Sequence, residues 1–415
     1  MATTSTIHFN CHITENHATQ VQTTETAHCP EPHQDWYSSE TGIYSSKHPV
    51  VELPSDPFLD VASFIFSHQH HGVSALIDSS SGSSISYPEL YHFIKSMAFG
   101  LHNMGVSQGN VVLIMLPNSI YFPIVFLGVL YLGATVTTMN PLSSVLEIKK
   151  QTSDCNVGLA FTVPDKVEKL QALGIPAIAV PENFDLGSKQ TVYSAFYKLI
   201  CGKFDSVPRA VIKQQDTAAI MYSSGTTGMS KGVVLTHRNF IAMIELFVRF
   251  EASQYEYSSL DNVFLAVLPM FHIYGLSLFV IGLLSLGSTI VLMRKFDVNE
   301  VMNAIDRYRV THCPVVPPIL TALTRTAKDV GGCPLKSLKQ VSCGAAPLSR
   351  KVIEDLLQTL PHVDFIQTRV RGRGRGKGNG RRHIPTEDGG HVAAMDEGQT
   401  ATVDGENVGG STDMN

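Results

Sequence analysis

No two of the seven cysteines form a C-x-x-C pair; Cys11, Cys29, Cys155, Cys201, Cys313, Cys333 and Cys343 are odd in number and scattered along the chain. That excludes a disulfide framework and a cysteine zinc site, and it fits a reducing compartment. A dominant charge is also lacking: 31 Lys and Arg against 36 Asp and Glu leave a net charge of −5 over 415 residues. The chain as a whole therefore has no electrostatic attraction for nucleic acid or an anionic membrane surface. Met1 to Ser46 lacks the apolar core of a secretory signal, being interrupted throughout by Thr, His and Glu. Residues 1–46 are expected to be a disordered leader. Tyr121 to Val136 and Leu276 to Met293 approach the ~18–20 apolar residues that a membrane span requires. Gly287, however, divides the second into a helical half (Tyr274 to Leu286) and a β-branched half (Ser288 to Leu292), the pattern of a buried helix followed by a buried strand. No membrane span and no internal repeat is expected.

At roughly 150 residues per domain, the length predicts two or three domains and a sizeable core. From Leu53 onward short apolar runs alternate with longer amphipathic ones. Val111 to Leu116, Thr135 to Met139, Val157 to Phe161, Ala177 to Val180, Ala218 to Tyr222, Val263 to Leu268, Thr289 to Leu292 and Val310 to Val316 predict strands. Between them, Ser144 with Glu147 and Asp297 with Glu300 each place a capping residue three positions before a glutamate. Gly105 and Gly287 stand where a helix end needs a left-handed residue. The alternation predicts α/β layers with mostly buried parallel strands.

The sharpest motif is Ser223-Ser224-Gly225-Thr226-Thr227-Gly228-Met229-Ser230-Lys231-Gly232, between the strand Ala218 to Tyr222 and the apolar run Val233 to Leu235. Its glycines let the backbone bend and expose N–H groups, the hydroxyls of Ser223, Ser224, Thr226 and Thr227 add donors, and Lys231 adds a cation. The segment suits a polyphosphate. A plain Ser/Gly/Thr linker shares the composition but rarely sits between two buried strands with a single lysine. The common NTPase loop is excluded, because it needs Gly and Lys adjacent and Lys231 follows Ser230. His68-Gln69-His70-His71 has no Cys or carboxylate at ligand spacing, so it reads as surface histidines at a helix end and no protein metal site is expected.

The loop resembles the signature of the adenylate-forming superfamily: acyl-CoA synthetases, 4-coumarate:CoA ligases, luciferases and peptide-synthetase adenylation domains. In the same order along the chain, Leu235-Thr236-His237-Arg238-Asn239, Leu268-Pro269-Met270-Phe271-His272-Ile273-Tyr274-Gly275 and Gly344-Ala345-Ala346-Pro347-Leu348 resemble further segments of that family. The resemblance covers roughly Leu53 to Gln367 and is strongest to plant 4-coumarate:CoA ligase-like proteins. It implies that residues 47–367 form the layered α/β large N-terminal domain of the adenylate-forming fold. The implied reaction has two steps. A carboxylate attacks the α-phosphorus of ATP, releasing pyrophosphate and forming an acyl-adenylate, and the CoA thiol then attacks the mixed anhydride.

By the same resemblance, Ser223, Ser224, Gly225, Thr226, Thr227 and Lys231 hold the β- and γ-phosphates, with Mg²⁺ sharing the charge stabilisation. His272 orients the carboxylate, Tyr274 lines the acyl pocket, Ala345 and Gln367 contact the adenylate, and Lys295 lies near the CoA entrance. Without that context His272 reads as a capping residue at a strand-to-helix junction, and Lys295 as a surface lysine. The partner is a small-molecule carboxylic acid. Four residues after the pocket tyrosine, coumarate ligases have a small polar residue where this chain has Leu278, which favours an aliphatic or oxylipin-type acid over a hydroxycinnamate.

After Gln367 the family continues Gly-Tyr-Gly-Met-Thr-Glu, whose glutamate helps hold Mg²⁺, whereas this chain continues Thr368-Arg369-Val370. The ribose-binding aspartate, the hinge and the C-terminal lid with its catalytic lysine are expected to be absent, and the ligase reaction to be impaired. Residues 368–415 are expected to be a disordered tail outside the family. In the tail, Arg369, Arg371, Arg373, Arg375 and Lys377 alternate with glycine like an RNA-binding segment, but without aromatic residues to stack on bases. Seven basic and seven acidic residues give it 7 − 7 = 0. The alternative function is a non-catalytic ATP- or acid-binding protein, or one contacting RNA through the tail. Some relatives carry a peroxisomal Ser-Lys-Leu-type signal, whereas this chain ends Thr412-Asp413-Met414-Asn415 and is expected in the cytoplasm. The sequence sets no oligomeric state.

Overall fold

The computed structural model describes residues 37–38, 40–44, 52–67, 70, 74–186, 191–202, 210–223, 230–254, 262–331 and 335–367. Within the segment expected as a leader, β1 (Tyr37–Ser38) and β2 (Ile43–Tyr44) pair antiparallel. This hairpin belongs to a separate unit from the body that starts at Leu53.

The body opens with the helix Val61–Ser67, followed by the antiparallel hairpin of β3 (Leu76–Asp78) and β4 (Ser84–Ile85). β5 (Val111–Met115), β6 (Thr135–Thr138), β7 (Val157–Thr162), β8 (Ala177–Ala179), β9 (Thr217–Ser223) and β10 (Lys231–Thr236) form a six-stranded sheet in the order β10-β9-β6-β5-β7-β8. β11 (Val263–Ala266), β12 (Thr289–Leu292), β13 (His312–Val315), β14 (Gln340–Cys343) and β15 (Asp364–Gln367) join the first hairpin in a seven-stranded sheet, β15-β14-β13-β11-β12-β3-β4. Within the body every pairing is parallel except β3 with β4 and β9 with β10.

Strand β5 shows why these apolar runs become central strands. Val112 and Ile114 enter the main core, which includes residues of both sheets, while Leu113 and Met115 enter a smaller core with Met139, Ile148, Ala160, Leu170 and Ile175. A strand buried on both faces needs apolar residues at every position. The helix Tyr121–Tyr131 is likewise buried all round, as a helix apolar on every face must be. No helix among the described residues is long and apolar enough to cross a membrane.

All eight expected strands are present, with small shifts at their ends. β10 differs from the expectation of a buried strand after the loop. As the antiparallel return of a hairpin it becomes the sheet edge, leaving Val233 46% and Val234 57% exposed. His70 also corrects an expectation: it packs against the ring of Tyr87, centroids 4.8 Å apart, and lies over Gly287 rather than on the surface. His68, Gln69 and His71 lie outside the described residues.

Ser144 and Glu147 form the expected reciprocal cap, and Asp297 accepts from Asn299 N and Glu300 N. Gly105 and Gly287 are left-handed, at φ +87° and +75°. A further cap opens the helix Tyr87–Asn103: the Ser86 hydroxyl and backbone N–H donate to the Glu89 carboxylate at 2.6 and 2.8 Å. The serine hydroxyl first, then its backbone N–H, hold the Glu89 carboxyl below the usual range. Ser86→Ala is expected to cost about 1 kcal/mol in urea unfolding and to return the Glu89 pKa upward, as a carboxyl titration by NMR would show.

Candidate functional site

Parallel strands place the loops that follow them along one edge of their sheet, the usual location of ligands in open α/β folds. In the seven-stranded sheet, β11 leads into His272 and Tyr274, β12 into Lys295, and β14 into Ala345, while β15 ends at Gln367. The register pairs Ala266 with Leu292 and Cys343 with Gln367, so the ends of β11 and β12 are neighbours, as are those of β14 and β15, with β13 between the two pairs. The six-stranded sheet supplies the second part, the loop end of the β9–β10 hairpin. Ser223 and Lys231 face each other in register there, both exposed. Ser224, Gly225, Thr226 and Thr227 lie outside the described residues.

Each expected site residue has a local cause for its placement. His272 caps the turn Ile273–Gly275: its Nδ1 accepts from Tyr274 N at 3.2 Å, and its own N–H donates to Pro269 O at 3.2 Å. The ring is exposed. With Nδ1 accepting, Nε2 carries the ring proton and is left as a donor on the exposed side of the ring. The capping role is thus real and leaves the outer nitrogen for a ligand. The expected helix Tyr274 to Leu286 contains a seven-residue π segment, Leu276–Gly282, a wider turn that often marks functional sites. Tyr274 and Leu278 are both half-buried beside the core. Ala345 is exposed and left-handed at φ +70°, a backbone strained for a residue with a Cβ. Lys295 is exposed beside Arg294, which pairs with Glu182 at 2.8 Å.

Two polar residues that sequence reasoning missed hold the β11 corner. Buried Asn118 donates from Nδ2 to Ala266 O (3.1 Å) and Leu268 O (2.9 Å), and its Oδ1 accepts from Met270 N (2.8 Å). Thr138, the last residue of β6, donates to Phe271 O at 2.6 Å. The available signal was a lone amide within the apolar stretch Leu116-Pro117-Asn118-Ser119-Ile120. At the root of the hairpin, the Tyr222 hydroxyl lies 3.4 Å from Cys155 Sγ and 3.3 Å from Asp154 Oδ2, which is ion-paired with Lys150. Burial, and then these two neighbours, push the phenol pKa up.

His237, by contrast, is framework. It is fully buried and accepts from Val61 N at 3.2 Å. Burial lowers its pKa against the pull of Asp60 and Asp216. Among the described residues no three His, Cys, Asp or Glu side chains converge as a metal site requires.

Residues 65–368 match the AMP-binding enzyme family, and the chain belongs to that family. Among curated relatives, 4-coumarate-CoA ligase-like 6 of Arabidopsis thaliana is 61% identical over 345 residues, covering 83% of this chain and 61% of that protein. Peroxisomal OPC-8:0-CoA ligase 1 of the same plant is 41% identical, covering 80% and 60%. The chain thus spans about three fifths of the length of these relatives. Among solved structures, a long-chain-fatty-acid-CoA ligase from Archaeoglobus fulgidus superposes with a TM-score of 0.67 at 22% identity, covering 78% of this chain and 66% of that one. ATP-bound MatB from Rhodopseudomonas palustris gives 0.63 at 21% identity, covering 75% and 60%. The fold is the layered α/β large N-terminal domain of adenylate-forming enzymes.

Proposed function

We propose that residues 47–367 are the adenylating domain of an acid:CoA ligase, with residues 1–46 and 368–415 outside it. The observation that carries this reading is the register pair of Ser223 and Lys231, which sets the lysine beside the serine that opens the phosphate motif. Ser223, Ser224, Gly225, Thr226, Thr227 and Lys231 bind the β- and γ-phosphates of MgATP, with the metal arriving as part of that substrate. His272 presents its Nε2 proton to the carboxylate, Ala345 and Gln367 hold the adenylate, and Lys295 receives CoA. Fixed donors of this kind act on the charge that develops as the carboxylate attacks phosphorus.

Tyr274 and Leu278 line the acyl pocket. The branched apolar Leu278 favours an aliphatic acid, in keeping with relatives named for OPC-8:0 and long-chain fatty acids. Cys155, Cys201, Cys313 and Cys343 are free thiols, which suits the cytosol or the peroxisomal matrix of the first of these relatives.

Calorimetry tests the phosphate role. A hydrogen-bonded cation on an anion contributes about 1.5–3 kcal/mol, so Lys231→Ala is expected to weaken ATP binding about 10- to 100-fold. The melting temperature should not change, because Lys231 is exposed. Unaltered affinity would end the phosphate reading. For the pocket, Leu278→Ser is expected to shift preference about tenfold toward cinnamoyl over decanoyl ligands, read as the ratio of affinities for the two sulfamoyl-adenosine analogues. Because Thr368-Arg369-Val370 replaces the family's glycine-rich acidic segment, turnover by this polypeptide is expected to be about 10²–10³-fold or more below that of a chain carrying the family segment. Pyrophosphate release from ATP with decanoic, long-chain and cinnamic acids measures that ratio.

A further inference from the structure

We propose that Asn118 and Thr138 are positioning residues that lock the loop carrying His272, in the seven-stranded sheet, to the sheet that carries Ser223 and Lys231. The proposal rests on the function proposed above and adds the means by which its two halves are held in register.

The amide of Asn118 is 5% exposed and planar. Its two Nδ2 protons are taken by Ala266 O and Leu268 O, and its Oδ1 by Met270 N. Three bonds from one rigid group fix both the distance and the rotation of residues 266–270 relative to the start of the helix Tyr121–Tyr131. Thr138 fixes the next residue. Its hydroxyl has a single proton and lies 2.6 Å from Phe271 O but 3.5 Å from Met221 Sδ, so the carbonyl takes it. Phe271 immediately precedes His272. On the other side, β6 pairs directly with β9, through Val136 with Ala219 and Thr137 with Ile220, and Met221 stands two residues before Ser223. A continuous path therefore runs from the phosphate hairpin through β9, β6 and the Thr138 hydroxyl to His272.

Stability alone could explain a buried asparagine. The placement of Thr138 argues for more, because a comparable bond exists on the same strand away from the site: Thr135 Oγ1 donates to Thr217 O at 3.1 Å. Thr135 ties β6 to β9 within one sheet at the opposite strand end, whereas Thr138 reaches across to the other sheet at the residue before His272. Removing each hydroxyl takes away one buried hydroxyl–carbonyl bond. Only one of the two changes moves the imidazole relative to the hairpin, and misplacement by about 1 Å is enough to lose up to 10²-fold in function.

The test uses the full 415-residue chain and two probes: ATP alone, which reaches the phosphate hairpin but not His272, and decanoyl-sulfamoyl adenosine, an unreactive mimic of the acyl-adenylate whose acyl group reaches His272. Thr138→Val is expected to weaken the mimic about tenfold while ATP affinity stays within about twofold, and Thr138→Ser to restore it. Thr135→Val is expected to lower the melting temperature by a similar amount and leave affinity for the mimic unchanged. Asn118→Ala orphans three buried groups and is expected to weaken the mimic further. Since that variant also endangers folding, the contrast between positions 138 and 135 decides. Equal losses for Thr138→Val and Thr135→Val, or equal losses for ATP and the mimic, would overturn the proposal. Lys231→Ala leaving ATP affinity intact would refute the phosphate assignment alone, with the 138–135 contrast still reporting the lock. A wild-type chain that bound neither probe would overturn both.

Discussion

Gly275→Ala is expected to destabilise the protein by about 3 kcal/mol or more, at the upper end of overpacking effects, and to abolish binding of acyl-adenylate mimics with it. A Cβ at this position would collide with Pro269 O and lie 2.7 Å from its carbonyl carbon, with Leu268 O at 3.2 Å. These are backbone atoms, so no side-chain rotation relieves the clash. Leu268 O is also one of the carbonyls that Asn118 holds, and the corner cannot retreat without breaking that bond. Gly282 provides the comparison, because there the nearest atoms belong to the Phe247 ring at 2.8 Å, which can turn aside. Urea unfolding of the two alanine variants should therefore give a much larger loss for Gly275→Ala. Similar small losses for both would show that the corner is softer than this geometry allows.

Acid should weaken the protein through His312. Its ring is buried in β13, stacked on Phe264 at 4.5 Å, with Nδ1 2.8 Å from the Thr311 hydroxyl. Burial, and secondarily the positive charge of Lys339, push its pKa down to about 4. The unfolded chain, with an ordinary histidine near 6.5, takes up a proton before the folded one does. The stabilisation is therefore complete above about pH 6.5 and is lost as the pH falls toward about 4, by about 3 kcal/mol in all. His312→Gln is expected to be less stable at pH 7 and to lose less than wild type between pH 7 and 4.5. Parallel pH profiles for the two proteins in denaturant unfolding would refute the assignment.

Long apolar runs and capping pairs were legible in the sequence because their causes are local. Val111 to Leu116 must be a strand wherever it lies, and Ser144 with Glu147 needs only its own turn. The strands of the body that the sequence did not show are short or polar: Leu76–Asp78, Ser84–Ile85, Gln340–Cys343 and Asp364–Gln367 contain no more than two adjacent apolar residues, too few for periodicity to find, and the two-residue strands Tyr37–Ser38 and Ile43–Tyr44 are shorter still. β10 was misread because composition reports apolarity, not how many neighbours a strand will have. Within the site, the motifs marked the segments but not the division of labour. His237 and His272 both stand in motif segments, yet one is sealed inside the framework and the other faces outward. The corner contacts were invisible for a different reason. Asn118 meets partners 148 to 152 positions away, and Thr138 meets Phe271 133 positions away, distances at which no local pattern carries information.

The strand order also fixes a timetable for synthesis. β5 to β10 are contiguous, from Val111 to Thr236, so the six-stranded sheet has all its members before β11 leaves the ribosome. The β3–β4 hairpin has no such advantage. Its parallel neighbour is β12, with Leu76 paired to Ile290, and a two-stranded hairpin alone is marginal in water. At about 5–20 residues per second, the roughly 200 residues between them keep Leu76 and Ile77 without that partner for about 10–40 s. Leu76 and Ile77 are therefore open to chaperones and to misassociation for that interval, and the half that carries the Ser223–Lys231 hairpin should become protease-resistant before the half that presents His272.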